Sequence, residues 1–273
     1  MRHIGIAMTK TIDTLIPDIE ALLVSRNYKL NPVVDHTNDG TDREFTLRAS
    51  NIGKPCARAL WYEKHDYETE PLQPHVFLKF DYGHLLEDSV LDLAKQSGHI
   101  VEREQERIVV DDIVGHIDAV IDGILVDVKT ASPYSFDKFV NETIYNDDPF
   151  GYIMQLSMYL HAIDDVEGAG FLVINKVTGK LHFMPLTYPM REEEIKELIA
   201  ERKEQMEMDR PPPRAFSPKP VGKSGNMGLG VNCSYCPYKK TCYPELRTFI
   251  SSRGPVYLTY VVREPRMMEV FDE

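Results

Sequence analysis

Long apolar runs are missing from this chain. No stretch approaches the ~18 consecutive apolar residues that a membrane-spanning helix needs, and the first thirty residues carry no apolar segment bounded by a cleavage site. These absences exclude a membrane span by sequence, so no membrane partner is expected and the chain reads as cytoplasmic. Cysteine is scarce, four in 273 residues. In a reducing compartment so small a set is not a disulfide framework; the four are metal ligands or inert thiols, and their spacing has to decide. Internal repeats are absent as well, which excludes a solenoid. Basic charge is in short supply: the net charge is −12, which is adverse for a protein that grips phosphates. Acidic residues are absent in turn between Arg210 and Pro244, a stretch that holds Arg210, Arg214, Lys219, Lys223, Lys239 and Lys240. A local basic surface is therefore available, while the Glu-rich stretch before it reads as a solvated helix.

A hydrophobic content of 42 % supports one sizeable core with additions. Ile12, Leu15, Ile16, Ile19, Leu22 and Leu23 recur at helical spacing, and a polar connector follows through Asn38, Asp39 and Gly40. Ser50 can cap a helix carrying Cys56, Arg58 and Trp61, and residues 76–97 predict a longer helix ending at Gly98. Residues 100–110, 114–121 and 124–130 read as strands, with Asp122-Gly123 as a type I′ hairpin signal between the last two. Helices are expected over 135–145, 149–163 and 191–208, and a second hairpin over 170–186 around Thr178-Gly179. Residues 211–230 read as an extended Pro/Gly-rich loop, and 256–262 as a β-like stretch with no assigned packing. The expected division is an N-terminal helical appendage (1–49), a core (50–210) and a C-terminal loop, cysteine segment and tail (211–273).

The most informative stretch runs from Gly115 to Thr130, a hairpin with polar residues where a core strand should be apolar. Hydrolysis of a phosphodiester calls for a cation to neutralise phosphoryl charge and acidify water, and carboxylate oxygens suit Mg²⁺ or Mn²⁺. Asp118 and Asp127 could supply such ligands from adjacent strands. Period-two alternation puts Asp127 and Lys129 on one face of a strand, so the ammonium can orient water or meet charge developing in the transition state. Downstream, Gln155 and Tyr159 share a helical face at i and i+4.

In this order the chain resembles the RecB-like branch of the PD-(D/E)xK nucleases, in which an acid on one strand is followed across a hairpin by an acid-x-Lys strand. Gly83-His84-Leu85-Leu86-Glu87 is similar to the family's upstream motif, and Gln155 with Tyr159 resembles its Q-x-x-x-Y motif. The resemblance implies an α/β fold, a restriction-endonuclease-like core with a mixed central sheet flanked by helices. It implies Glu87, Asp118, Asp127 and Val128 at the metal, with His84 one turn before Glu87 as a further metal or DNA contact. It also implies Lys129, Gln155 and Tyr159 as catalytic partners and Tyr152 as a DNA contact. Glu87 departs from the many relatives that carry His at that position and matches the phage-type exonucleases; Asp127 stands where relatives often have Glu.

Cys233, Cys236 and Cys242 are spaced C-x2-C-x5-C, and Cys56 lies 177 positions before Cys233. Spacing alone admits zinc or an iron-sulfur cluster. The resemblance extends to nucleases with one cysteine before the core and three after it, among them CRISPR-associated, AddB-type and phage exonucleases. It implies a [4Fe-4S] cluster on Cys56, Cys233, Cys236 and Cys242, with Arg58, Lys239 and Lys240 as backbone contacts to DNA. The implied function is metal-dependent exonucleolytic cutting of single-stranded DNA ends, with a helicase, recombination or integrase partner. An endonuclease or flap nuclease, a non-catalytic iron-sulfur DNA-binding module and a zinc-ribbon scaffold are the alternatives.

Overall fold

The computed structural model describes residues 10–30, 45–70, 74–252 and 254–271; the expected connector at Asn38–Gly40 lies outside them. A 3₁₀ turn leads into α1 (Leu15–Ser25), followed by α2 (Ala49–Ile52), α3 (Ala57–Lys64) and the long α4 (Pro74–Gln96). Five strands come next: β1 (Val101–Glu102), β2 (Arg107–Val110), β3 (Ile113–His116), β4 (Ala119–Ile121) and β5 (Ile124–Ala131). Then follow α5 (Pro133–Val140), α6 (Tyr152–Ala162), β6 (Gly168–Asn175), β7 (Leu181–Pro185) and α7 (Glu192–Met206). The C-terminal part holds β8 (Lys219–Pro220), β9 (Met227–Gly228), α8 (Val231–Ser234), α9 (Lys239–Cys242), β10 (Arg247–Ser251), β11 (Gly254–Tyr260) and β12 (Met268–Val270).

As far as these residues are described, contacts group the chain into two compact units rather than three consecutive segments: Met1–Gly53 with Gln73–Ile199, and Lys54–Leu72 with Ala200–Glu273. The first unit is built on a mixed sheet of order β1-β4-β5-β6-β7. β5 and β6 run parallel in register from Ile124↔Gly168 to Ala131↔Asn175, and the other neighbours pair antiparallel. The parallel step requires a crossover, which α5 and α6 supply. One face of the sheet, with Leu125, Phe171 and Val173, packs on α5 and α6 through Phe136, Phe139 and Leu156. The other, with Val126, Val128 and Leu172, packs on Val90, Leu91 and Ala94 of α4 and on Leu15 and Ile19 of α1. Thus α1 is part of this core, because Leu15 and Ile19 are completely buried.

Three expectations change in detail. The single helix expected from Ser50 is two, α2 and α3, since Pro55 cannot donate to a helical ladder and Gly53 lies so close to Gly151 that a Cβ would stand 2.9 Å from its carbonyl oxygen. The strand expected over 100–110 is split into β1 and β2 by Arg103 and Gln105, both with positive φ. The strand expected over 114–121 breaks at Ile117-Asp118, so that β2 and β3 form a separate two-stranded hairpin. The turn at Asp122-Gly123 has φ of 49° and 83°, as the hairpin signal predicts. In the second unit, β10, β11 and β12 form an antiparallel sheet with β8 and β9, which occupy part of the expected 211–230 loop.

A polar clamp ties α1 to the sheet. His99 is fully enclosed, its Nδ1 2.6 Å from Asp122 Oδ2 and its Nε2 3.2 Å from Asp18 Oδ2. Asp122 also accepts the Ile100 N–H at 3.0 Å. His99→Ala leaves the enclosed Asp122 carboxylate with only the Ile100 N–H, while the partly exposed Asp18 keeps Lys10 at 2.7 Å, and urea unfolding is expected to show a loss of about 2 kcal/mol. A loss below about 1 kcal/mol would mean the clamp adds no net stability.

Candidate active site

The break between β3 and β4 makes the site. β4 pairs with β5 only from Ala119↔Val126 to Ile121↔Ile124. From Asp127 onward no strand among the described residues lies on that side of β5, and a backbone donor there needs another partner. Asp118, the residue before β4, provides one: its Oδ2 accepts the Val128 N–H at 2.6 Å. The carboxylate is therefore fixed at the fork where its neighbouring strand leaves the sheet. Asp127 and Lys129 follow on β5 and form an ion pair. Asp127 Oδ2 is buried and, apart from that ammonium, has no hydrogen-bond donor among the described residues.

Glu87 reaches the same place from α4. Gln105 Nε2 donates to its Oε1 at 2.9 Å. Lys79, His84, Glu87, Val128, Lys129 and Tyr152 are among the residues lining a depression of about 310 Å³ beside the fork. The Lys129 ammonium lies 4.8 Å from the centre of the Tyr152 ring, a cation–π contact in a desolvated setting. Tyr152 in turn stacks on Phe150 and Phe139.

The helix carrying Tyr152, Gln155 and Tyr159 is positioned by Asp148, whose carboxylate accepts the N–H groups of Phe150, Gly151 and Ile153 at 3.2, 2.9 and 2.9 Å. Tyr159 is 2 % exposed, and Gln155 Nε2 donates to its hydroxyl at 3.4 Å. That hydroxyl occupies the space a side chain at residue 115 would need, since a Cβ on Gly115 would stand 2.1 Å from it. Gly115 is thus required by close approach, and Tyr159 acts from inside the core, holding the strand and helix around the site.

Electrostatics follow from crowding acids under cover. Burial pushes the Glu87 carboxyl up to about 7 from its ordinary 4.5, with Asp127 and Asp88 adding to it and Lys129 opposing. Asp118 is raised by burial and then by Asp127, and Asp127 by burial against the pull of Lys129. Burial works against the Lys129 charge, but Asp127, Asp118 and Tyr152 outweigh it and leave the ammonium firmly protonated. Such an arrangement wants positive charge beyond one lysine, and its donors are hard oxygens. The residues fit a divalent cation on chemistry, although among the described residues no three His, Cys, Asp or Glu converge as a ready cage.

A pH dependence follows. Between about 4.5 and about 7 the folded protein keeps a proton on Glu87 that the unfolded chain has released. Stability of the metal-free protein should therefore fall as pH rises through that window and level off above it. Asp118 and Asp127, also raised, act in the same direction. Thermal unfolding in EDTA from pH 5 to 8 should show a drop of several degrees, flattened in Glu87→Gln; a rise over the same interval would contradict the assignment.

The second unit contains the four cysteines, all free thiols; Cys56, Cys236 and Cys242 are near enough to act on the Cys233 charge, but among the described residues no three of them converge as a ready metal cage. Cys56 immediately precedes α3, Cys233 lies in α8, Cys236 follows it and Cys242 ends α9. Burial, with Cys56, Cys236 and Cys242 adding to it as neighbours of like charge do, raises the Cys233 thiol to about 11. Arg58 donates to the Pro212 carbonyl at 2.6 Å and stands 3.9 Å from Cys242 Sγ. Lys239 is buried and paired with Glu70, and Lys240 lies 3.2 Å from the same carboxylate. Arg58, half-buried, and Lys239, buried, thus each have partners within the unit.

Two contributors were not singled out from the sequence. Asp148 was legible in principle, as an Asp-Pro step before a helix. Gln105 was not, because it meets Glu87 only after a turn with positive φ.

No curated protein matches the chain. Among solved structures it is similar to SSO0001, with 16 % identity over 82 % of this chain and 94 % of that one and a TM-score of 0.43. It is also similar to a phage related exonuclease from Haemophilus somnus 129PT, at 15 % identity, 59 % and 91 % coverage and a TM-score of 0.39. A third is an alkaline exonuclease, LHK-Exo, from Laribacter hongkongensis, at 15 % identity, 59 % and 90 % coverage and a TM-score of 0.33. Residues 21–243 match the PD-(D/E)XK nuclease superfamily model, and with a mixed sheet that sets an acid-x-Lys strand at its fork, the chain belongs to that superfamily.

Proposed function

We propose that this protein is a divalent-metal-dependent deoxyribonuclease that hydrolyses phosphodiester bonds at single-stranded DNA ends. The observation that carries the reading is the fork: Asp118, Asp127 and Glu87 face one another's charge with Lys129 among them. A Mg²⁺ or Mn²⁺ ion held by these carboxylates would neutralise charge on the phosphoryl oxygens and make a water acidic enough to attack. The Val128 N–H holds Asp118 in place and Gln105 holds Glu87. Lys129, locked in its charged form, meets negative charge as it develops on the phosphate. Tyr152 shields that ammonium from water, and Gln155 with Tyr159 keeps α6 against the fork.

In the second unit the four cysteines hold a [4Fe-4S] cluster. Support comes from the donor set: four unpaired thiols gathered from both ends of a long sequence separation, each half-buried, with Arg58 beside Cys242 to offset thiolate charge. Its role is to close that separation, as a disulfide would in an oxidising compartment.

The test of activity is degradation of labelled single strands with added Mn²⁺. Linear strands should shorten from an end while circular strands stay intact. Cleavage of circles would assign an endonuclease, and survival of both would sink the nuclease reading.

A further inference from the structure

The first half of α4 carries a feature that the chemistry at the fork does not use. Phe77 is 51 % exposed and Phe80 55 %, and His84 is exposed beyond them. At 100° per residue, positions 77, 80, 84 and 87 fall on one side of the helix. The stripe therefore runs from two solvent-facing aromatic rings, through an imidazole, to Glu87. It is continuous with the depression, because Phe80, His84 and Glu87 all line it, with the exposed Lys79 beside them.

Gly83 supplies an independent observation. It sits inside α4, where glycine costs ~1 kcal/mol relative to alanine. No packing contact among the described residues explains it: a Cβ there would meet none of their atoms within 4 Å. Yet Gly83 also lines the depression. The space beside it is open in the protein alone, and any larger side chain would narrow the way from Phe80 to Glu87.

Water is a poor partner for two large exposed rings next to a catalytic depression, and a folded duplex offers no base faces to cover them. An unpaired strand does, with phosphates for Lys79 and a π-face on every nucleotide. About 15 Å of helix separates Phe77 from Glu87, enough for several stacked nucleotides at about 3.4 Å each. We infer that Phe77, Phe80 and His84 form a stacking ladder for unpaired bases, with Gly83 leaving the gap through which the strand reaches Glu87 and Lys129. This rests on the nuclease reading and adds to it that the substrate is recognised by its unstacked bases, without regard to sequence.

The experiment measures binding of the full chain to fluorescein-labelled oligo-dT and to an abasic strand of equal length, by anisotropy in EDTA so that no cutting occurs. Wild type should bind oligo-dT at least about 25-fold more tightly than the abasic strand. Alanine at both Phe77 and Phe80 should remove most of that difference, with each ring accounting for about 5- to 100-fold, while abasic binding stays within about twofold. Phe80→Trp should keep the preference, and both rings are exposed, so the variants should melt like wild type. Equal binding of the two strands by wild type, or an undiminished preference in the double variant, overturns the ladder. So does a smaller sedimenting species for the double variant, which would assign the rings to contact between two copies. Hydrolysis of the same oligo-dT by wild type with Mn²⁺ is scored separately. Base preference without hydrolysis keeps the ladder and removes the nuclease reading; hydrolysis without base preference does the reverse.

Discussion

Alanine at Asp127 is expected to reduce Mn²⁺-dependent degradation of single-stranded DNA by at least about a thousandfold, the order of effect reached when a transition-state contact worth about 4 kcal/mol is lost. Asp127 is a buried acid whose carboxyl is raised by its surroundings, with Lys129 as its ion-pair partner. Removing it takes a ligand from the fork and at the same time leaves the Lys129 ammonium buried beside fewer acids. The alanine variant should therefore lose stability as well as activity, and activity alone cannot separate the two causes. Asp118→Asn does separate them. An asparagine oxygen can still accept the Val128 N–H, so the local structure is retained. The substitution also removes a charge that burial and Asp127 both oppose. The metal-free variant should melt at or above the wild-type temperature and yet be nearly inactive. A stable Asp118→Asn protein with wild-type rates would remove Asp118 from the chemistry. Activity of Asp127→Ala at wild-type level would do the same for the whole site.

The second large effect concerns the cysteines. Protein purified without oxygen should be brown and contain iron and acid-labile sulfide in near-equal amounts, and Cys242→Ala should lose both. A centre joining Cys56 to Cys233 would span 177 positions, and a cross-link closing so long a loop is worth about 5 kcal/mol in chain entropy. Loss of the centre should thus lower the stability of the second unit by about that amount in urea, with Cys56→Ala and Cys242→Ala behaving alike. Colourless protein with stoichiometric zinc would replace iron by zinc at the same four residues. Cysteine variants with unchanged metal content and unchanged melting would show that the thiols hold no metal.

Much of this molecule can be read in one dimension. The alternation around Asp127-Val128-Lys129 is local, and so is the Asp122-Gly123 turn that brings the preceding strand alongside. Helices with a clear apolar stripe, such as α1 and α6, declare themselves because burial of one face follows from the repeat of the helix alone. The acid pair, the lysine and the Gln155–Tyr159 face all belong to elements of this kind, and Asp118, Asp127, Glu87 and Lys129 lie near enough to act on one another's charge.

Other parts depend on which segments meet. The sequence from Val114 to Ile121 has the composition of one strand, and nothing in it marks the break at Ile117-Asp118; that break exists because β3 pairs with β2 while β4 pairs with β5. The partners of Arg58 and Lys239, Pro212 and Cys242 for one and Glu70 for the other, lie far from them in sequence. Gln105 has no motif, and its contact with Glu87 depends on a turn set by pairing on either side.

The amino-acid sequence by itself determined the superfamily, the mixed α/β class and the residue types at the fork, because periodicity, turn chemistry and the order of acids and lysine are properties of neighbours along the chain. The tertiary structure alone decided that Asp118 accepts the Val128 N–H at a strand break, that Tyr159 lies within the core, and that Lys239 is buried against Glu70. The reason is that burial and hydrogen-bond partnership arise from distant segments meeting, and a carboxylate or guanidinium carries no local sign of which partner it will find.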